Sequence, residues 1–168
     1  WVGLIPCGWS AEELAIRNIK NGIFPPESGT HCNPFNEWIG AQMRAGVCGM
    51  TAPGRPYIAA MLAWRDGEVS HANNGILGEV FNAVMTSLAF VDDDIRSVVR
   101  TSIQMIPKDS EYYSVISYAY DCCIRYENWQ DALYACMDRY KKYNWIHAYP
   151  NACCEIIALI YGNGDFRK

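Results

Sequence analysis

Between Asn33 and His71 the sequence sets Asn36, Glu37, Gln42, Arg44 and His71 among Gly40, Ala41, Ala45, Gly46 and Gly49. Polar and titratable side chains among residues with little or no side chain make up a site that backbone can approach closely. Main-chain N–H groups grip a phosphate or a sugar only where no side chain intervenes. His71, ahead of the turn-forming Asn73-Asn74-Gly75, has the chemistry to orient a ligand or transfer a proton, and equally that of a satisfied structural histidine. Glu37 beside Trp38 reads either as a carboxylate whose pKa an apolar neighbour raises or as a glutamate at a helix start. Arg44 is placed to pair with Glu37 or to hold a phosphate.

Other chemistries lack their residues. The chain has no nucleophile elbow, no phosphate-binding P-loop pattern and no His-x-x-x-His pair. Its 8 cysteines contain no Cys-x-x-Cys, so a zinc site has no ligand spacing to stand on. Cys122-Cys123 and Cys153-Cys154 fall within helical patterns, where cysteine behaves as a small buried apolar residue, and reduced cysteines are expected. Asp92-Asp93-Asp94 suggests a metal, but acidic residues also favour the first turn of a helix, and Ile95, Val98, Val99, Ile103 and Ile106 continue at helical spacing.

The elements that must position the polar stretch read as helices. Ser10-Ala11-Glu12-Glu13 has the form of a capping box, opening a helix that carries Leu14, Ile16 and Ile19 and stops near Asn21-Gly22. Pro25 to Gly29 reads as loop. A helix from Trp38 to about Val47 puts Ile39, Met43 and Val47 on one face. Pro53-Gly54-Arg55-Pro56 ends it, and Pro56 starts the next, with Ile58, Met61, Leu62 and Arg65 in phase up to Asp66-Gly67. From Ile76 or Leu77 to Phe90 the pattern is that of a buried helix.

Helices follow from Asp92-Asp93-Asp94 to Pro107, from Asp109 or Ser110 to about Tyr126, and from Asn128 or Trp129. The last runs from Pro150 to Gly162. With about eight helices and no convincing strand, the expectation is a single all-α, multi-helix domain over residues 1–168. The two helix ends around Arg44 and Gly67 then deliver the polar stretch.

Composition narrows the partners. With 51% hydrophobic and 19% charged residues the chain is globular, and at 168 residues one core buries roughly 70% of the unfolded surface. A net charge of -4 with scattered Lys and Arg gives no electrostatic grip on nucleic acid. The longest apolar run, Ile76 to Val91, is interrupted by Glu79 and Asn82, so no membrane span is expected. No signal peptide is seen, which points to a cytoplasmic location.

The stretch from Glu37 to Val84, EWIGAQMRAGVCGMTAPGRPYIAAMLAWRDGEVSHANNGILGEVFNAV, resembles the central segment of the ADP-ribosylglycohydrolase family. In that family a Gly-rich element ending in Met-Arg precedes an Ala-rich helix and a Ser/Thr-His followed by a Gly-containing helix start. The flanks NIKNGIFPPESGTHCNPFNEWIGAQMR and HAYPNACCEIIALIYGNGDF extend the resemblance across essentially the whole chain. It implies an all-α fold around a cleft for ADP-ribose or an ADP-ribosylated substrate, with two Mg²⁺ ions near the ribose. The implied reaction cleaves the glycosidic bond between ADP-ribose and a protein side chain or small acceptor.

By matched position the resemblance makes Phe35, Asn36, Glu37, Trp38 and Gly40 the ligand-binding loop and His71 the ligand-proximal histidine. It assigns no catalytic residue in this chain. The family's acidic metal motifs lie outside the matched residues, and Ile39 stands where many relatives have Asn. The chain is therefore expected to be the central part of such a domain, to bind no Mg²⁺ alone, and to be inactive alone. The alternative is a non-catalytic ADP-ribose-binding or structural helical module. Removing parts of a helical domain also leaves apolar surface that favours self-association.

Overall fold

The chain is built around α6, Asn73–Ala89, which buries residues on every side, from Gly75 through Phe81 to Ser87. A computed structural model describes residues 8–165 and 167. Ten helical segments lie among them: α1 Ser10–Lys20, α2 Glu27–Thr30, α3 Gly40–Arg44, α4 Gly46–Met50, α5 Pro56–Gly67, α6, α7 Ile95–Gln104, α8 Glu111–Arg125, α9 Trp129–Tyr140 and α10 Ala148–Gly162. The extended pairing among the described residues is an isolated bridge between Trp38 and His147. The all-α expectation holds.

α3, α4 and α5 pack along one side of α6, while α8, α9 and α10 pack on one another as a second group. Phe81 on α6 meets Tyr112 on α8 edge-on at 6.1 Å, and Tyr112 in turn meets Tyr149 on α10 at 6.3 Å. These rings carry the core from one group into the other.

Local signals placed the later helices well. Asp94 caps α7 by accepting from the Arg96 N–H, Ser110 caps α8 by accepting from Tyr113, and Asn128 caps α9 by accepting from Asp131. The helix-cap reading of the triple Asp is the one that forms. Pro150 sits in the first turn of α10, where its missing N–H costs nothing.

The first half departs from the pattern in four places. No capping box forms at α1, because the Glu13 carboxylate accepts instead from the Gly8 N–H at 2.9 Å. A short helix, α2, occupies part of the Pro25–Gly29 stretch read as loop, since Asn18 Nδ2 donates to the carbonyls of Ser28 and His31 and satisfies its backbone. The helix expected from Trp38 to Val47 is two short ones, with the ladder tightened at Ala45, whose carbonyl takes the Cys48 N–H at 3.0 Å.

The fourth departure is the direction of a face. Met43 and Val47 point outward, 70% and 66% exposed, and Ala41, Gln42, Ala45 and Gly49 face the core. α5 behaves alike, burying Ala59, Ala63 and Gly67 while Ile58 and Met61 are exposed. Small residues win the inner face because α6 approaches too closely for large ones: a Cβ on Gly49 would lie 2.4 Å from Thr86 Cβ and 2.5 Å from the Ala83 carbonyl oxygen. Cys122, Cys123 and Cys153 are buried as expected, but Cys154 is exposed. The seven described cysteines are free; Cys7 lies outside the described residues.

Candidate functional site

The segment 35–41 is held between the N-termini of two helices. On one side the Asn36 carbonyl accepts from the Ala72 N–H at 3.1 Å, and Glu37 Oε1 accepts from both the backbone N–H and Nδ2 of Asn74, at 3.2 and 2.9 Å. On the other, the Glu37 carbonyl accepts from Ala148 at 3.0 Å and Ile39 donates to the Ile146 carbonyl at 2.9 Å. Glu37 thus occupies the N-terminal end of α6, where a carboxylate meets unpaired N–H groups and the positive end of the helix dipole. This explains why α6 starts at Asn73, three residues before the apolar pattern begins.

Glu37 titrates opposite to the raised-pKa reading. Burial pushes its carboxyl up, but the donors from His147 and Asn74 outweigh burial and hold it below the usual glutamate value. His147 Nδ1 accepts from the Tyr149 N–H at 3.3 Å, which leaves Nε2 facing Glu37 Oε2 at 3.6 Å. Phe35 and Trp38 stack on each other with ring centroids 4.3 Å apart. Gly40 lies against Glu12, where a Cβ would come within 2.3 Å of the carboxylate.

Arg44 pairs with neither Glu37 nor an open anion site. Its guanidinium gathers acidic groups from three other helices: Glu12 on α1 at 2.8 Å, Asp66 at the end of α5, and Glu79 on α6 at 3.6 Å. It also donates to the Asp66 carbonyl at 3.2 Å and to Ser70 Oγ at 3.0 Å. Glu79 is 0% exposed, and as a carboxylate its oxygens would have no hydrogen-bond partner. Burial, and then the Asp66 carboxylate beside it, push Glu79 up to about 9 against the pull of Arg44. Asp66 goes the other way: burial raises it, but donation from the Glu79 carboxyl and from Arg44 leaves it below the usual value. Of the two carboxyls, Glu79 is the one pushed toward the protonated form and Asp66 the one held as carboxylate.

His71 belongs to the same network. The ring is 1% exposed, with Nδ1 2.8 Å from Ser70 Oγ and Nε2 accepting from the Ala41 N–H at 3.3 Å. Burial and then Arg44 lower it to about 3, against smaller opposing pulls from Asp66 and the Trp38 carbonyl. A further polar group lies behind α3, where Gln42 Nε2 donates to Glu155 Oε2 at 2.9 Å and Gln42 Oε1 accepts from Tyr112 at 3.3 Å. Gln42, Asn82 and Glu155 line a cavity of about 460 Å³, and Glu155 also borders a larger one of about 950 Å³ beside α9 and α10.

The sequence-predicted residues Phe35, Asn36, Glu37, Trp38, Gly40 and His71 therefore come together, and Arg44 stands beside them. Sequence reasoning missed Glu12, Asp66, Ser70, Asn74, Glu79 and His147. Of these Glu79 carried a signal: a carboxylate inside an otherwise apolar helix must find a cation or a proton. Among the described residues no group of three or more His, Cys, Asp or Glu stands close enough to hold a metal ion. The carboxyl groups of Glu12, Asp66 and Glu79 surround the Arg44 guanidinium, which is already their cation. The described residues do not fit a Mg²⁺ site.

Among the described residues the chain is all-helical, with a polar, glycine-containing loop clamped between two helix N-termini. A sequence model of the ADP-ribosylglycohydrolase family matches residues 3–168, and the chain belongs to that family. No curated protein and no solved structure matches. The family is one of hydrolases that act on ADP-ribosylated substrates and are generally metal-dependent. None of the helices among the described residues is long and apolar enough to cross a membrane.

Proposed function

We propose that this chain supplies the ADP-ribose-binding side of a Mg²⁺-dependent ADP-ribosylglycohydrolase that cleaves the glycosidic bond between ADP-ribose and a protein side chain or small acceptor. The observation that carries the reading is the family match over residues 3–168, and the clamping of the segment 35–41 between α6 and α10 supports it. Phe35, Asn36, Glu37, Trp38 and Gly40 form the ribose and phosphate side, with the buried His71 behind them. Breaking an anomeric bond builds positive charge on the sugar, for which carboxylates and metal-held oxygens are the ordinary equipment. The role of these residues is to bind and orient. The carboxylates of the cluster serve Arg44.

The same pairing supports hydrolytic inactivity of these 168 residues by themselves and favours, as a second reading, a module that binds ADP-ribose without cutting it. A cytoplasmic location and self-association through the exposed apolar residues of α3, α4 and α5 belong to the same proposal. Titration calorimetry with ADP-ribose, paired with an assay for ADP-ribose released from modified protein in Mg²⁺, tests it. Binding without turnover is expected. Robust turnover would sink the inactivity claim, and no binding at millimolar ligand would remove the ADP-ribose reading.

A further inference from the structure

His71 lies between two kinds of element. On one side stands the charged cluster of Arg44, Asp66, Glu79 and Glu12, and on the other the clamped loop. Its Nε2 receives the Ala41 N–H. A backbone N–H only donates, so that nitrogen must carry a lone pair and the ring proton must sit on Nδ1. Nδ1–H then donates to Ser70 Oγ at 2.8 Å, and Ser70 Oγ also accepts from Arg44 Nη2 at 3.0 Å. Arg44 fixes Ser70, Ser70 fixes the tautomer, and the tautomer decides whether the Ala41 amide has an acceptor.

The Ala41 amide matters because of where it lies. It is one residue past Gly40, at the start of α3, where the first N–H groups have no acceptor within the helix. Ala41 is fully buried, so water cannot replace the imidazole. The next residue, Ala72, holds the other end of the loop through the Asn36 carbonyl, and Asn74 holds Glu37 between them. Residues 71–74 are thus a template along which the loop is laid, and the His71 ring is its last rung.

We infer that His71 is a positioning residue: a neutral, Nδ1-protonated imidazole that sets the ligand loop by accepting the Ala41 amide, without titrating at working pH or transferring a proton to ligand. The inference deepens the ADP-ribose reading and rests on it for the word ligand. Its geometric content stands separately. The groups that face the ring are Arg44 and Ser70 with the Trp38 carbonyl, and Asp66 beyond them. Protonating Nε2 would place a donor against the Ala41 donor and a second cation beside Arg44, which together with burial outweighs the smaller pulls of Asp66 and the Trp38 carbonyl toward the charged form.

The test uses the whole 168-residue chain, first without ligand. Long-range ¹H–¹⁵N correlation of the His71 ring reads the tautomer directly, over pH 5 to 8. A protonated Nδ1, a bare Nε2 and no titration are expected. A ring that titrates in that range, or carries its proton on Nε2 toward the Trp38 carbonyl, overturns the inference.

Amide hydrogen exchange then separates the rung from general stability. In His71→Ala the Ala41 amide should exchange roughly tenfold faster, the upper end for one hydrogen bond, while Val115 in α8 stays unchanged. His71→Gln, whose Oε1 reaches the position of Nε2, should restore Ala41 protection. Equal loss in both variants, or equal loss at Val115, overturns the inference. ADP-ribose affinity should follow Ala41 protection across the three proteins and be flat over pH 5 to 8; affinity that tracks protonation of the ring also overturns it. Failure of the wild-type chain to bind ADP-ribose would count against the ligand reading alone, because the ring and amide measurements do not need ligand.

Discussion

Glu79 and Arg44 illustrate how differently two partners in one ion cluster bear on stability. Burial holds Glu79 toward its neutral form in the folded chain, so Glu79→Gln removes a proton-carrying oxygen but no charge and should cost under about 1 kcal/mol in urea unfolding at about pH 4, where the unfolded glutamate also keeps its proton. Arg44→Met strips the donor from Glu12, Asp66 and Ser70 together and should cost about 2–3 kcal/mol. The pH dependence has a definite sign. Glu79 is raised from 4.5 to about 9 on folding, so the folded state holds a proton that the unfolded state has lost; its contribution is complete below about 4.5 and disappears as pH rises toward 9. Asp66 is lowered on folding, so its contribution is present above its unfolded value of 3.8 and is lost on acidification. Wild-type stability measured relative to Glu79→Gln should therefore fall between pH 5 and 9, and a difference that rises with pH would contradict the proton assignment. None of this was legible from Arg44 in the sequence, because its partners lie 22 to 35 residues away on other helices, and spacing reports only neighbours on the same helix.

Elements were legible where they carry their own signals and obscure where a neighbour supplies them. Asp94, Ser110 and Asn128 cap from within the sequence, and the helices they open were placed correctly. α6 is capped by Glu37 from a distant loop, and α2 is satisfied by Asn18, so no local pattern marked either start. The inner faces of α3 to α5 went unmarked for a related reason. Hydrophobicity ranks Met43 and Val47 above Ala41 and Gly49, yet the deciding quantity is the distance to α6, which only the small residues permit. The same close approach gives Gly75 its role. A Cβ there would lie 2.2 Å from the Asn36 carbonyl oxygen and 3.1 Å from Glu37 Cα, both backbone atoms of the clamped loop. Gly75→Ala should destabilise the chain by about 1–3 kcal/mol, as overpacking does, and should weaken ADP-ribose binding more than the global loss explains, because the displaced atoms belong to the loop itself. Thermal unfolding and calorimetry on the same preparation check both parts; unchanged affinity in a destabilised but folded variant would detach the loop from the ligand.

At the scale of the molecule, the outward apolar side chains of α3 to α5 have a consequence at the surface. Met43, Val47 and Met50 recur at helical spacing along α3 and α4, and Tyr57, Met61 and Trp64 do so along α5, which packs against α4. All six are exposed, from 44% at Trp64 to 80% at Tyr57. Isolated apolar side chains on a surface need no explanation, but stripes on adjoining helices make a patch of the kind that mediates association. A net charge of only -4 opposes this weakly at moderate salt. The chain should therefore self-associate with rising concentration in sedimentation equilibrium, and Met43→Glu combined with Met61→Glu should shift the equilibrium toward monomer by roughly tenfold or more, since burying an unpaired carboxylate against a second copy is costly. Charge alone would also separate the copies, so the control is Lys141→Glu, at the exposed end of α9, which lowers the net charge by the same two units far from either stripe. If the control disperses the chain as well as the double variant does, the association is a matter of net charge and the stripes are not its interface; if only the double variant does, the patch on α3 to α5 is the contact.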